Sequence, residues 1–229
     1  MVEQDYLLEK RSEWLIGKRG LFVNKSSSCT PVVLAGGKSS RMGRDKAFIS
    51  LAGRTVIERI LEGLAEVFSL PPVIITNSPA AYVELGVRTE RDLVPGKGPL
   101  SGIQAGFFHS VSPYIFVVGC DMPFLQSEFI RLMLARMREY DAVVPESGGK
   151  VHPLHAVYSR RCAAVIEDRL VQNQHKAVTF LSQVDVFYLR PETTGMQQCA
   201  EQSLINVNTP EDFACAEAMV RCQVVRKKR

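Results

Sequence analysis

From Thr30 onward the apolar positions fall into two alternating rhythms. "TPVVLA" is a compact apolar, β-branched run and reads as a buried strand. In "RTVIERILEGLAEVF" the apolar residues recur every three or four positions, the period of an amphipathic helix. "PPVIITN" and the shorter "GVRTERD" read as strands, and "GPLSGIQAGFFHS" as a helix with Pro99 in its first turn. "YIFVVGCD" is the clearest buried strand. It is followed by a helix in "QSEFIRLMLARMREY", capped by Gln126 or Ser127, and by the strand "DAVVPE". After Gly148 the pattern is more irregular, with "HPLHAVYS", a helix near 160–171 and the strand "VDVFYL". A final helix begins at "NTPED", with Thr209 as N-cap, Pro210 at the first helical position and acids in the first turn. The alternation predicts a single three-layer α/β/α domain of Rossmann-like type around a mainly parallel sheet. Residues 1–29 stand before it as an extension, in which Leu7, Leu8, Trp14 and Leu15 could share one face of a short helix. The domain is expected over 30–222, with a basic tail at 223–229.

In such sheets ligands sit outside the carboxyl ends of the strands. The residues found there are a Gly-Lys-Arg loop after the first strand, then Asn77, Asp92 and Asp121. The loop "LAGGKSSRMGRDK" gathers Lys38, Arg41, Arg44 and Lys46 against one acid, Asp45. It is neither of two familiar phosphate loops. Lys38 stands where G-x-G-x-x-G needs its second glycine, and Val32 stands where the P-loop needs its first. Gly36 and Gly37 can still turn backbone N–H groups toward an anion, with Arg41 and Lys46 adding full charges. Asp121, closing an apolar strand at the same edge, suits Mg²⁺, which takes one or two carboxylates and completes its shell with water and phosphate. A turn or cap role is the alternative for Asp121 and Asp92, and "NSP" after Thr76 is also good turn chemistry for Asn77. The loop "PGKGPLSG" leads into a helix N-terminus that would favour an anion. His152 and His155 in "HPLH" are general-base candidates or packed core histidines.

Composition narrows the classes. With 229 residues, 46% apolar and 23% charged, the chain is an ordinary globular protein able to bury a large core. It lacks a run of eighteen apolar residues, and its first twenty residues carry acids and no apolar signal core, so a cytoplasmic protein is expected. The six cysteines match no zinc spacing and read as reduced thiols, mostly core filler. The net charge of +4 equals the charge of the terminal "RKKR", so the remainder offers no polyanion-binding surface and nucleic acid is not an expected partner.

With these residues in place, "LAGGKSSRMGRDK", "GPLSG", "GCDMPF", "HPLHAVYS" and "INVNTPED", in that order, resemble the molybdenum cofactor guanylyltransferases over about residues 31–220. The resemblance implies that Leu34, Ala35 and Gly36 bind a nucleotide through the backbone and that Lys46 contacts its phosphates. It places Asn77 and Asp92 at guanine-nucleotide positions, Asp121 at the nucleotide and Mg²⁺ position, and Asn206 and Asn208 on the second-substrate side. The implied reaction carries GMP from GTP to the phosphate of molybdopterin, with Mg²⁺ as cofactor. Proteins that make or receive the molybdenum cofactor would be its partners. Two other readings are a cytidylyltransferase for the same cofactor, or another NMP transferase on a phosphorylated metabolite, and a GTP-binding delivery protein without turnover. The paired glycines of "LAGG" favour the guanylyl branch.

Overall fold

The computed structural model describes residues 25–36 and 46–227, with side chains to residue 222. The helix expected near residues 5–16, and with it Gly37, Lys38, Arg41 and Arg44, lie outside the described residues. Strand β1 (Cys29–Leu34) lies at the centre of the main sheet, parallel to β4 (Val73–Ile75) on one side and to β6 (Tyr114–Gly119) on the other. Strand β5 (Arg88–Glu90) extends the sheet beyond β4, again parallel. On the other side β9 (His155–Ser159) pairs antiparallel with both β6 and β7 (Ala142–Ser147), and β10 (Val186–Leu189) closes the edge parallel to β7. The sheet is thus mixed but mostly parallel, in the order β10-β7-β9-β6-β1-β4-β5. A short β8 (Lys150–Val151) turns back on the end of β7 through Gly148 and Gly149.

Both faces of the sheet are covered, which explains the unbroken apolar runs in its central strands. In β1, Cys29 and Val33 face one layer while Val32 and Leu34 face the other. In β6, Phe116 and Val118 alternate with Ile115 and Val117 in the same way. The first layer holds helices α1 (Val56–Val67) and α3 (Ser127–Arg136); the second holds α2 (Gly98–Phe108) and α4 (Cys162–Val171). Helix α1 starts in a capping box: the Thr55 N–H donates to Glu58 Oε2 at 2.7 Å, and Glu58 N–H donates to Thr55 Oγ1. Helix α2 approaches β1 closely, because a β-carbon at Gly106 would lie 3.0 Å from Val32.

Several elements were not expected. The hairpin of β2 (Ser50–Leu51) and β3 (Arg54–Thr55) precedes α1 and takes the first two residues of the helical pattern, Arg54 and Thr55. Helix α5 (Gln197–Ser203) is polar, and its two buried residues, Ala200 and Ser203, are too small to mark a stripe. Helix α6 (Pro210–Lys227) begins where "NTPED" indicated: Thr209 Oγ1 accepts from the Asp212 N–H at 3.1 Å. Gln126 holds the N-cap of α3, but its side chain donates to Phe124 O and does not cap the helix. The cysteines are less uniform than core filler: Cys29 and Cys162 are buried, whereas Cys215 and Cys222 are exposed on α6. No described helix is long and apolar enough to cross a membrane.

Candidate active site

Strands β6, β1, β4 and β5 are adjacent and parallel, so their carboxyl ends open on one edge. That edge is knitted together one residue beyond the strands. Ala35 N–H donates to Ile75 O at 2.8 Å, Cys120 N–H to Leu34 O at 3.1 Å, and Thr76 N–H to Glu90 O at 2.9 Å. Leu34 and Ala35 are therefore buried and fixed, and Gly36 emerges exposed. Among the described residues nothing lies within 4 Å of a β-carbon built on Gly36, so no packing among them accounts for the glycine.

Asp121 follows β6 directly, half-buried. A β-carbon on Gly119 would lie only 2.7 Å from Asp121 Oδ1, so glycine at 119 is what lets the carboxylate fold back over its own strand. Burial raises the Asp121 pKa; its own backbone N–H, Asn208 and Lys46 partly offset this. Lys46 opens a 3-10 turn, Lys46–Phe48, fastened by buried Ala47 and by Phe48 against Tyr82, with ring centroids 4.9 Å apart. Its Nζ donates to Asn208 Oδ1 at 3.1 Å, and Asn208 and Lys46 both lie close enough to Asp121 to favour its charged form. The structure thus joins three residues from the start, the middle and the end of the chain into one cation–amide–carboxylate cluster. It lies at the end of β1, where the residue before Asp121 bonds to Leu34 O and Gly36 leaves the sheet.

Asp92 and Asn77 stand at the same edge with different surroundings. Asp92 Oδ1 accepts the hydroxyl of buried Ser101 and, at 3.2 Å, the Val94 N–H. Its carboxylate thereby ties the Gly-rich loop to the start of α2. Asn77 is exposed in a bend after Thr76. Asn206 and Asn208, both exposed, flank buried Val207, whose N–H donates to Asp121 O at 2.8 Å. Gly37 and Arg41 lie outside the described residues.

The histidines do not join the cluster. His155 is fully buried between Phe116 and Phe129, with ring centroids at 5.2 and 5.8 Å. Burial pushes its pKa down to about 3, and its Nε2 shares a 3.2 Å hydrogen bond with Ser203 Oγ. It is a packed core histidine. His152 is also held below the ordinary histidine value, by burial and then by Lys150.

One neighbour escaped the sequence reading. Asp212 Oδ2 accepts from the N–H groups of Asn208 and Thr209, at 2.9 and 2.8 Å, and these bonds hold its pKa below the usual carboxylate value. The T-x-x-D spacing from Thr209 was the available signal, since it reads as a capping box. What it did not reveal is that Lys46 lies close enough to act on the Asp212 charge.

Among the described residues no group of three or more His, Cys, Asp or Glu could hold a metal by itself. A single half-buried carboxylate beside a lysine instead fits an ion whose remaining ligands are substrate phosphates and water.

A family model described as the MobA-like NTP transferase domain matches residues 31–187. A probable molybdenum cofactor guanylyltransferase of Pelotomaculum thermopropionicum is 39% identical over 191 residues, covering 83% of this chain and 92% of the relative. The molybdenum cofactor guanylyltransferase of Desulfosudis oleivorans is 34% identical, covering 84% and 96%. Among solved structures, molybdopterin-guanine dinucleotide biosynthesis protein A from Archaeoglobus fulgidus superimposes with a TM-score of 0.73 at 26% identity. That match covers 84% of this chain and 98% of the other.

Proposed function

Because the chain belongs to the MobA-like NTP transferase family, and is a nucleotidyltransferase on that ground, we propose that it transfers GMP from GTP to the phosphate of molybdopterin, with Mg²⁺ as the divalent metal. Residues 30–222 would form the transferase domain, working in the cytoplasm. The names of its relatives support these substrates. The observation that carries the mechanism is the meeting of Lys46, Asn208 and Asp121 at the sheet edge where exposed Gly36 follows β1.

In this reading a molybdopterin phosphate oxygen attacks the α-phosphorus of GTP in line. A new P–O bond forms as the bond to the β-phosphate oxygen breaks, and pyrophosphate leaves. The attacking phosphate is already ionised at neutral pH, so no strong general base is required, which fits the burial of His155. Leu34, Ala35 and Gly36 present backbone to the nucleotide. Lys46 stabilises the phosphates, assisted by Arg41 and by the backbone of Gly37. An ammonium about 4 Å from a phosphate gains roughly 4 kcal/mol at an effective dielectric near 20. Its loss from the transition state would cost about a thousandfold in rate. Asp121 would hold Mg²⁺, which supplies Lewis-acid charge to the phosphate oxygens. Asn77 and Asp92 would face the guanosine, and Asn206 and Asn208 the pterin side. Catalysis is then positioning and electrostatics, with no covalent nucleophile.

The test is pyrophosphate release by purified protein given Mg²⁺, molybdopterin and each nucleoside triphosphate in turn. Release from GTP is expected. Release from CTP but not GTP would assign the cytidylyl reaction, and GTP binding without release would make the protein a carrier.

A further inference from the structure

Asn208 occupies an unusual position for an exposed amide. Its Oδ1 accepts from Lys46 Nζ at 3.1 Å, and the neighbouring Val207 N–H donates to Asp121 O at 2.8 Å, so the amide is set between a cation and a carboxylate that both it and Lys46 influence. The ion pairs among the described residues do not include Lys46 with Asp121. Left to themselves, an ammonium and a half-buried carboxylate at this range would close into a direct pair, because low surrounding polarity strengthens their attraction.

The backbone around Asn208 is held on both sides. Val207 N–H donates to Asp121 O at 2.8 Å, and the N–H groups of Asn208 and Thr209 donate to Asp212 Oδ2 at 2.9 and 2.8 Å. Asp212 is itself carried by α6, which buries Phe213, Ala216 and Val220 in the core. The same helix packs against β2, the strand that follows the Lys46 turn, so one rigid element fixes both partners of the Lys46–Asn208 bond.

We infer that Asp212 is a positioning residue for the transfer site: through the backbone of Asn208 it holds the carboxamide as a spacer that keeps Lys46 off Asp121. The spacer leaves the ammonium available to phosphate and the carboxylate available to a metal ion. Without it, Lys46 pairs with Asp121 and the metal must compete for the same oxygens. This rests on the nucleotide and metal roles proposed above for Lys46 and Asp121.

The experiment measures binding, not turnover. Fluorescent analogues of GTP, CTP, ATP and UTP are titrated against the full chain, and the Mg²⁺ concentration giving half-maximal tight binding is read for each variant. Asp212→Ala should need about tenfold more Mg²⁺, and Asn208→Ala should shift in the same direction. Thr209→Ala removes the hydroxyl that caps the same helix end but leaves the Asn208 N–H on Asp212. It should lower the melting temperature, as Asp212→Ala does, with its Mg²⁺ requirement within twofold of the unaltered protein. Equal shifts in Asp212→Ala and Thr209→Ala, or no shift in Asp212→Ala, would overturn the inference. A preference of the unaltered protein for another base would overturn the GTP assignment alone, because the spacer is then judged on the nucleotide that binds.

Discussion

Asp92 and Asp121 occupy equivalent places: each follows a parallel strand, at one edge of one sheet, and each read as a candidate ligand-binding carboxylate. Their surroundings divide them. Asp92 receives its donors from its own neighbourhood, the Ser101 hydroxyl and the Val94 N–H, and fastens a loop to a helix. Asp121 is folded back over Gly119, raised in pKa by burial, and balanced by Lys46 and Asn208 from distant parts of the chain. The position of a carboxylate in a fold says that it can reach a ligand. Whether local donors already satisfy it, or burial leaves its charge incompletely compensated, says what it is for.

The strongest way to break that contrast is Asp121→Asn. Transfer should fall by about a thousandfold or more, an estimate equal to roughly 4 kcal/mol of lost transition-state stabilisation. The melting temperature at neutral pH should rise. The sign follows from the raised pKa: the fold disfavours the charged form, so removing the charge stabilises the protein above that pKa. A fall in melting temperature would show that Lys46 and Asn208 more than repay the burial. Gly119→Ala should come next, because its β-carbon would press on Asp121 Oδ1 and move the carboxylate. Pyrophosphate release should drop by about ten- to a hundredfold, an estimate set by the sensitivity of catalysis to small displacements. Asp92→Ala should act on stability and on GTP binding more than on the chemical step. It removes one of two acceptors of buried Ser101, which keeps Val94 O at 3.2 Å, for about 1 kcal/mol by urea denaturation; KM for GTP should rise, with kcat within about threefold of the unaltered enzyme. A collapse of kcat with intact stability would place Asp92 in the chemistry beside Asp121.

The prediction with least bearing on catalysis concerns His155, which pairs with Val118 near the end of β6. Its pKa near 3 means that the unfolded chain takes a proton that the native state refuses. Stability should therefore fall as pH drops from about 6.5 toward 3, with a slope of up to about 1.4 kcal/mol per pH unit from this group. Asp121 acts in the opposite sense, since its raised pKa makes the native state the better proton acceptor as pH falls toward the ordinary carboxylate range. His155→Phe should flatten the His155 part of the profile, and denaturation midpoints across that range would show it.

Much of the fold was legible because alternation survives in short segments. β1 and β6 announced themselves by continuous apolar runs, and α1 by its period, while its Thr55–Glu58 box was found only in the structure. The direction of β9 was not legible, since "HAVYS" has the same local pattern whichever way its neighbours run. The two-residue strands β2 and β3 are too short to carry a period at all. In the candidate site, Lys46 and Asp121 were picked out by type and by place after a strand. Sequence also singled out Asn208, through resemblance, but gave no reason for it to lie between them. The roles of Asp92 on Ser101 and of Gly119 beneath Asp121 needed coordinates, because both depend on which atoms come within contact distance.

The bond from Lys46 to Asn208 spans 162 residues of chain. On the ribosome, the first strand and its loop emerge long before the segment that completes their site. A nascent chain can therefore assemble most of the sheet while its lysine and carboxylate still lack the amide between them. The cluster thus forms late: it is complete only when the segment carrying Asn208 has been made and has packed against the rest.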